Sequence, residues 1–315
     1  MFIVMGVLAN GVLIYWLFGL GTSQQVYLRN LIFSDIVLEQ QSVDLNQAIE
    51  QGFKRDTDVS RYLDFIHPNA LKVLKDKTYQ SDRELSLAIL GVIGQADGSV
   101  CGLQSLGKTV FETLRGKGCC SDYSKAWLFY ANFLGMQARE VSLFNHTSVE
   151  YFDRATGRWH WLDPFNRIEI VNARGQVMSL LDVRNAPFDD YLQIQKLLTS
   201  VNSFDANEYI GYSRAQMGTV FWRLGVNFLE VEALDTHLQA WGLPKNVRQL
   251  VLLVAGVQPR WLMLTTQSDY FYYKLLKSLI MMFLWLLLAI NVVWLIVAFL
   301  LGKKVFTKYR DQSSA

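Results

Sequence analysis

The chain has 315 residues, 51% of them hydrophobic, and a formal net charge of +2 at neutral pH. That charge is too small to mark a nucleic-acid binder, and no basic stripe interleaved with stacking aromatics runs through the sequence. Three cysteines, an odd count, do not make a disulfide framework, and without a Cys-x-x-Cys they lack the spacing of a zinc site, so no metal or cofactor is expected.

The hydrophobic excess lies at the two ends. Residues 2–20 (FIVMGVLANGVLIYWLFGL) and 278–301 (SLIMMFLWLLLAINVVWLIVAFLL) carry no charged side chain, and each is long enough to cross a hydrocarbon core of ~30 Å. The first has no basic n-region and ends in FGLGTSQQ, a poor cleavage site, so it reads as an uncleaved anchor rather than a signal peptide. Tyr270, Phe271, Tyr272 and Tyr273 suit the interface before the second span, and Lys303, Lys304, Lys308 and Arg310 after it suit the cytoplasm. These features predict transmembrane helices over 1–21 and 276–302 and a basic cytoplasmic tail over 303–315. Both termini are then cytoplasmic, with about 22–275 on the far side of the bilayer, which in a bacterium is the periplasm or exterior of the inner membrane.

Residues 22–75 read as a helical N-terminal region, with a helix in QQSVDLNQAIEQGF and a break at Pro68. In SDRELSLAILGVIG, Ser81 with Glu84 three positions on forms a capping-box pattern, and Leu85, Ile89 and Val92 give an apolar stripe. ADGSVCGLQSLG reads as a loop and KTVFETLR as a short helix ending at Gly116. SDYSKAWLFYANFLG repeats apolar residues at Ala126, Phe129, Tyr130 and Phe133 and stops at Gly135, which suits a left-handed C-cap. AREVSLF, HTSVEYFD and RWHWLD read as strands, the last two joined by the turn DRATG. Helix followed by sheet predicts an α+β core over 76–190. Residues 191–275 read as a mostly helical extension, from YLQIQKLLTSV, RAQMGTVFWRLGVNFLEVEALDTHLQAWG and KNVRQLVLLVAGV.

The chemistry concentrates in GKGCCSDYSKAW, residues 116–127. A thiol in the first turn of a helix feels the positive end of the helix dipole and unpaired N–H groups, so it ionises more readily and becomes nucleophilic. Cys120 sits there, with Ser121 or Asp122 as its cap and Gly116 and Gly118 to bend the chain. A nucleophile also needs a base oriented by a third group. A tight turn centred on residues 154 and 155 would make partner numbers sum to 309, placing His146 opposite Asp163 on one face, and a one-residue slip would separate them. The result is a Cys120, His146, Asp163 triad.

His160 alternates away from Asp163 and reads as a structural strand residue, and His67 and His237 as loop or surface residues. Cys101 and Cys119 read as small buried apolar groups. Glu150 reads as support for the sheet or a neighbouring arginine, and Trp159 and Trp161 as packing groups.

The run GCCSDYSKAWLFYANFLGMQAREV, followed by HTSVEYFDRATGRWHWLDPF, resembles the core of the transglutaminase-like superfamily. The pattern is roughly G-x-C-x-D/E-aromatic, Leu-Gly-x-x-Ala-Arg, H-x-x-V-E and W-x-x-D-P. Gly118, Cys120, Asp122 and Tyr123 match its first part, Leu134, Gly135, Ala138 and Arg139 its second, and His146, Val149 and Glu150 its third. Trp159 or Trp161, Asp163 and Pro164 match its last, and the likeness covers about a third of the chain. Ser148 stands where the family often has Trp, and the loop before His146 is short. The resemblance implies a papain-like α+β fold in which a cysteine-bearing helix packs on an antiparallel sheet. It also implies acyl transfer or hydrolysis at an amide, with Cys120 as nucleophile, His146 as base and Asp163 as its orienter. The substrate would be a protein, peptide or other amide-bearing molecule outside the cytoplasm. The alternative is a non-catalytic scaffold or binding module of the same fold, partnered with envelope or polysaccharide-assembly proteins.

Overall fold

The computed structural model describes residues 21–38, 53–96, 105–143, 146–186, 193–196 and 220–313, with isolated positions before residue 21. It is α+β and divides into two units, one of residues 33–266 and one of residues 1–32 with 267–315.

The first unit is built on an eight-stranded mixed sheet. Its strands are β1 (Ser34–Leu38), β3 (Ala138–Ser142), β4 (Thr147–Asp153), β5 (Arg158–Asp163), β6 (Ile168–Val171), β7 (Gln193–Lys196), β8 (Val220–Arg223) and β10 (Trp261–Thr265), in the order β1-β10-β8-β3-β4-β5-β6-β7. Within this sheet only β1 and β10 pair in parallel. A separate two-stranded ribbon joins β2 (Lys54–Arg55) to β9 (Gly225–Val226). The expected strands in AREVSLF, HTSVEYFD and RWHWLD are all present, and together they form the middle of the sheet.

The segment read as one long helix from Arg214 behaves differently. Val220–Arg223 and Gly225–Val226 are strands, and the helix begins only at Phe228. Every residue of β8 is buried, so it lacks the period-2 alternation of a half-exposed strand and reads from sequence like part of a buried helix. Gln193–Lys196, within a second segment read as helix, is likewise a strand. The expected helix in QQSVDLNQAIEQGF falls almost wholly outside the described residues. Pro68 opens the helix Pro68–Lys75, with His67 as its N-cap.

Two apolar layers cover the sheet. One joins Val149, Tyr151 and Leu162 to helices Asp82–Val92, Leu106–Thr113 and Cys120–Phe133, with Trp127, Phe129 and Tyr130 fully buried. The other gathers Trp161, Ile168, Ile170, Leu180, Val183, Trp222, Leu262 and Leu264. A polar knot anchors this second layer. Glu150 is completely buried and accepts from Arg139 Nε at 2.8 Å, Trp222 Nε1 at 2.9 Å and the Leu180 N–H at 2.7 Å. The Arg139 guanidinium in turn lies 3.7 Å from the centre of the Trp159 ring, a cation–π contact.

Helix Asp82–Val92 braces the sheet at both its ends. Ser81 accepts from the Glu84 N–H at 3.2 Å as the sequence predicts, although Glu84 reaches back to the Gln80 N–H rather than to Ser81. Asp82 accepts three hydrogen bonds from Arg154 in the β4–β5 turn, and Arg83 donates to Glu169 on β6. At the far end, Gly94 N–H donates to Thr113 O at 2.9 Å, and Ile93 O accepts from Arg167 just before β6. A Cβ on Gly94 would lie 2.7 Å from Leu114 O and from Gly116 N, so no larger residue fits there without moving the turn that leads to Cys119.

In the other unit, the stretch Gln267–Leu300 of helix Gln267–Ser313 is long and apolar enough to cross a membrane. Its 34 residues span roughly 50 Å at about 1.5 Å each, against a hydrocarbon core of about 30 Å. Asn291 donates to Leu287 O at 2.9 Å, a bond within its own helix. This is the one such helix among the described residues; the other expected span, 2–20, lies mostly outside them.

Removing Glu150 would strand a buried guanidinium and two N–H groups. Glu150→Ala is expected to destabilise the intact protein by about 3–5 kcal/mol, read as a lower denaturant midpoint.

Candidate functional site

The site is set by where one helix starts. The chain enters through Gly116 and Gly118, with φ of 83° and 122°, a region that favours glycine. The helix runs Cys120–Phe133 with Cys119 as N-cap, and Asp122 accepts the Cys119 N–H at 3.0 Å. The expected cap was Ser121 or Asp122; the cap is Cys119, two residues before Ser121, and Asp122 serves it from the third helical position. At the other end Gly135, φ 76°, donates to Asn132 O and Met136 N–H donates to Ala131 O. Those two bonds form the Schellman pattern expected at that glycine.

The strands carry the partners. His146 immediately precedes β4, where its carbonyl accepts the Leu143 N–H at 2.8 Å, and Asp163 ends β5. The observed β4–β5 partners are Val149 with Leu162 and Glu150 with Trp161, two residues out of the expected register. The cause is the turn, which has four residues, Arg154 to Gly157, between Asp153 and Arg158. A shift of two leaves the alternation in phase. His146 and Asp163 are therefore diagonal rather than opposite, and His146 Nε2 still lies 2.8 Å from Asp163 Oδ2.

Cys120 hydrogen-bonds to the His146 side chain and to the Thr147 backbone. With Nε2 on Asp163, Nδ1 is the nitrogen left for the thiol. One turn along, Ser124 Oγ donates to Thr147 O at 3.1 Å, tying the helix to the start of β4. The three expected residues are thus brought together. Asp163 is completely buried, His146 nearly so, and Cys120 retains partial exposure.

Charge follows from this packing. Burial disfavours the imidazolium, but the Asp163 carboxylate beside it and the Cys120 contact outweigh that cost, and the His146 pKa is pushed up to about 10. Burial likewise pushes the Cys120 thiol up, yet the His146 hydrogen bond and charge, with the Thr147 backbone, bring it below the ordinary thiol range. Both shifts run in the direction of a thiolate–imidazolium pair.

The remaining residues sort plainly. His160 is buried between Tyr151 and Thr156, and burial lowers its pKa. His237 packs on Trp241, with ring centres 5.0 Å apart. Trp161 is buried and donates to Ser148 Oγ at 2.6 Å, so the serine that departs from the family pattern is an acceptor for that indole. Cys119, read as a small apolar group, is disulfide-bonded instead, whereas Cys120 is free; Cys101 lies outside the described residues. Among the described residues no group of three or more His, Cys, Asp or Glu could hold a metal ion. Sequence reasoning missed Asn166, which donates to Asp163 through both its backbone and its side chain. The run Asp-Pro-Phe-Asn is a turn signal that could have found it. No family model, curated protein or solved structure matches this chain.

Alkylation without reductant is expected to label Cys120 and not Cys119, with Cys119 becoming reactive only after reduction. Cys120 should still react quickly near pH 6, where an ordinary thiol of pKa about 8.5 is almost wholly protonated. His146→Ala should slow that acid-side reaction at least tenfold, as measured by mass spectrometry of the labelled peptides.

Proposed function

We propose that this protein is a membrane-anchored cysteine enzyme of the transglutaminase-like kind, acting on amides by acyl transfer or hydrolysis. The reading is carried by one observation, the chain of hydrogen bonds from Asp163 to His146 to Cys120. The matching order of motifs, on a helix against a largely antiparallel sheet, supports the family assignment. The Cys120 thiolate attacks the substrate carbonyl carbon, and the N–H groups of Cys120 and Ser121, at the very start of the helix, receive the oxyanion. As the tetrahedral intermediate collapses, the imidazolium gives its proton to the leaving amine and a thioester remains. His146, now neutral, takes a proton from water or an acceptor amine, which releases the acyl group. Hydrolysis is the favoured outcome.

The bilayer is the proposed partner through two spans, residues 2–20 and the C-terminal helix, with both termini cytoplasmic. The basic residues after the second span support that orientation. The Cys119 disulfide supports it independently, because structural disulfides persist in oxidising compartments such as the periplasm and are rare in the cytosol.

Full-length protein in detergent, given a panel of peptide amides and activated esters, should accumulate an acyl adduct on Cys120. Cys120→Ala should form none, and Asp163→Asn should be about 10²–10⁴-fold slower. An adduct that survives Cys120→Ala would overturn the reading. A reporter active only in the periplasm, fused to the C-terminus, should be silent; activity there would reverse the orientation.

A further inference from the structure

We infer that Asn166 is a positioning residue for the reacting centre, acting on His146 and Cys120 through the Asp163 carboxylate; the inference rests on the reading of that centre given above. The turn that follows β5 folds back onto the carboxylate that ends it. Oδ1 of Asp163 accepts the N–H groups of Phe165 at 3.0 Å and Asn166 at 3.1 Å. Oδ2 lies 2.8 Å from His146 Nε2 and 2.7 Å from Asn166 Nδ2. The Asn166 side chain therefore shares its oxygen with the imidazole.

Two N–H groups on Oδ1 hold one oxygen but leave the carboxylate plane free to twist about it. The amide on Oδ2 removes that freedom and keeps a lone pair aimed at Nε2. With Nε2 engaged, Nδ1 stays turned to the thiol. The orientation of the amide is itself fixed by chemistry, since the flipped amide would press one acceptor oxygen against another.

A second observation separates positioning from stability. Asn166 Oδ1 is buried with no hydrogen-bond partner, and an unsatisfied buried acceptor is destabilising. An apolar residue of the same shape would avoid that cost, so the Nδ2 donor is what explains an amide at this position. The turn is held by other means as well. Arg167, at φ 57°, sends its guanidinium to Ile93 O, so the backbone N–H groups on Asp163 do not depend on the Asn166 side chain.

The test is the pH profile of Cys120 alkylation by iodoacetamide in the full-length protein, read alongside the melting temperature. Asn166→Leu keeps the shape and removes both the donor and the stranded acceptor. Its melting temperature reads the net of the lost bond to Asp163 and the relieved acceptor, while the thiolate limb of its profile moves up by about one pH unit, a loss of about tenfold in rate on the acid side. Asn166→Ala should move the limb in the same direction, and it decides the matter if the leucine variant does not fold. Wild-type and variant profiles that superimpose would overturn the role of Asn166 while leaving the centre intact. A wild-type Cys120 that titrates as an ordinary thiol would instead overturn the centre on which the inference rests.

Discussion

The site depends on one buried anion. Asp163 has no contact with water, and an isolated carboxylate in that position would be strongly disfavoured. It is retained because His146, Asn166 and the Phe165 N–H all point at it. Its charge then propagates outward. The carboxylate raises the pKa of the imidazole, and the imidazole in turn lowers that of the Cys120 thiol. The coupling thus runs from the least exposed member of the three to the most exposed. The same coupling has a stability consequence with a definite sign. Because the folded pKa of His146 is raised to about 10, its contribution is fully present below the unfolded value near 6.5 and is lost as pH rises through about 10.

Holding three side chains from a helix and two strands in register is a problem for the whole domain. Helix Asp82–Val92 and the residues just after it solve much of it. Through Asp82 they grip the β4–β5 turn, through Ile93 the turn after Asp163, and through Gly94 the turn before Cys119. One element thus ties together the segments that carry Cys120, His146 and Asp163 without contributing a group to the site. The Arg139, Glu150 and Trp222 knot links β3, β4 and β8 beneath the other layer. It explains why an arginine and a glutamate occupy strand positions that are fully buried.

Local signals carried much of this into the sequence. Gly135 ended its helix because its left-handed conformation satisfies two of the last carbonyls, and Ser81 began its helix by accepting an N–H of the first turn. The pairing of His146 with Asp163 was legible despite an error in the turn, because the face of a strand depends on parity and the error was even. What local pattern could not show was long-range. Strand β8 is buried on both faces and inserts between β3 and β10, which are far apart in the chain, so its apolar run carried no period to separate strand from helix. The disulfide at Cys119 was equally hidden, since spacing alone does not reveal which thiols meet. Asn166 was missed because its role is relative to Asp163 and not to substrate.

His146 is almost completely buried, yet its raised pKa implies a charged imidazole at neutral pH. The most direct measurement is the NMR titration of His146 in the full-length protein, with the ring nitrogens followed from pH 5 to pH 11 and assigned by comparison with His146→Gln. A His146 that stays protonated through neutral pH and deprotonates near pH 10 is the expected result. A ring that loses its proton near 6.5, as an unperturbed histidine does, would mean that Asp163 does not hold it and that Cys120 is an ordinary thiol.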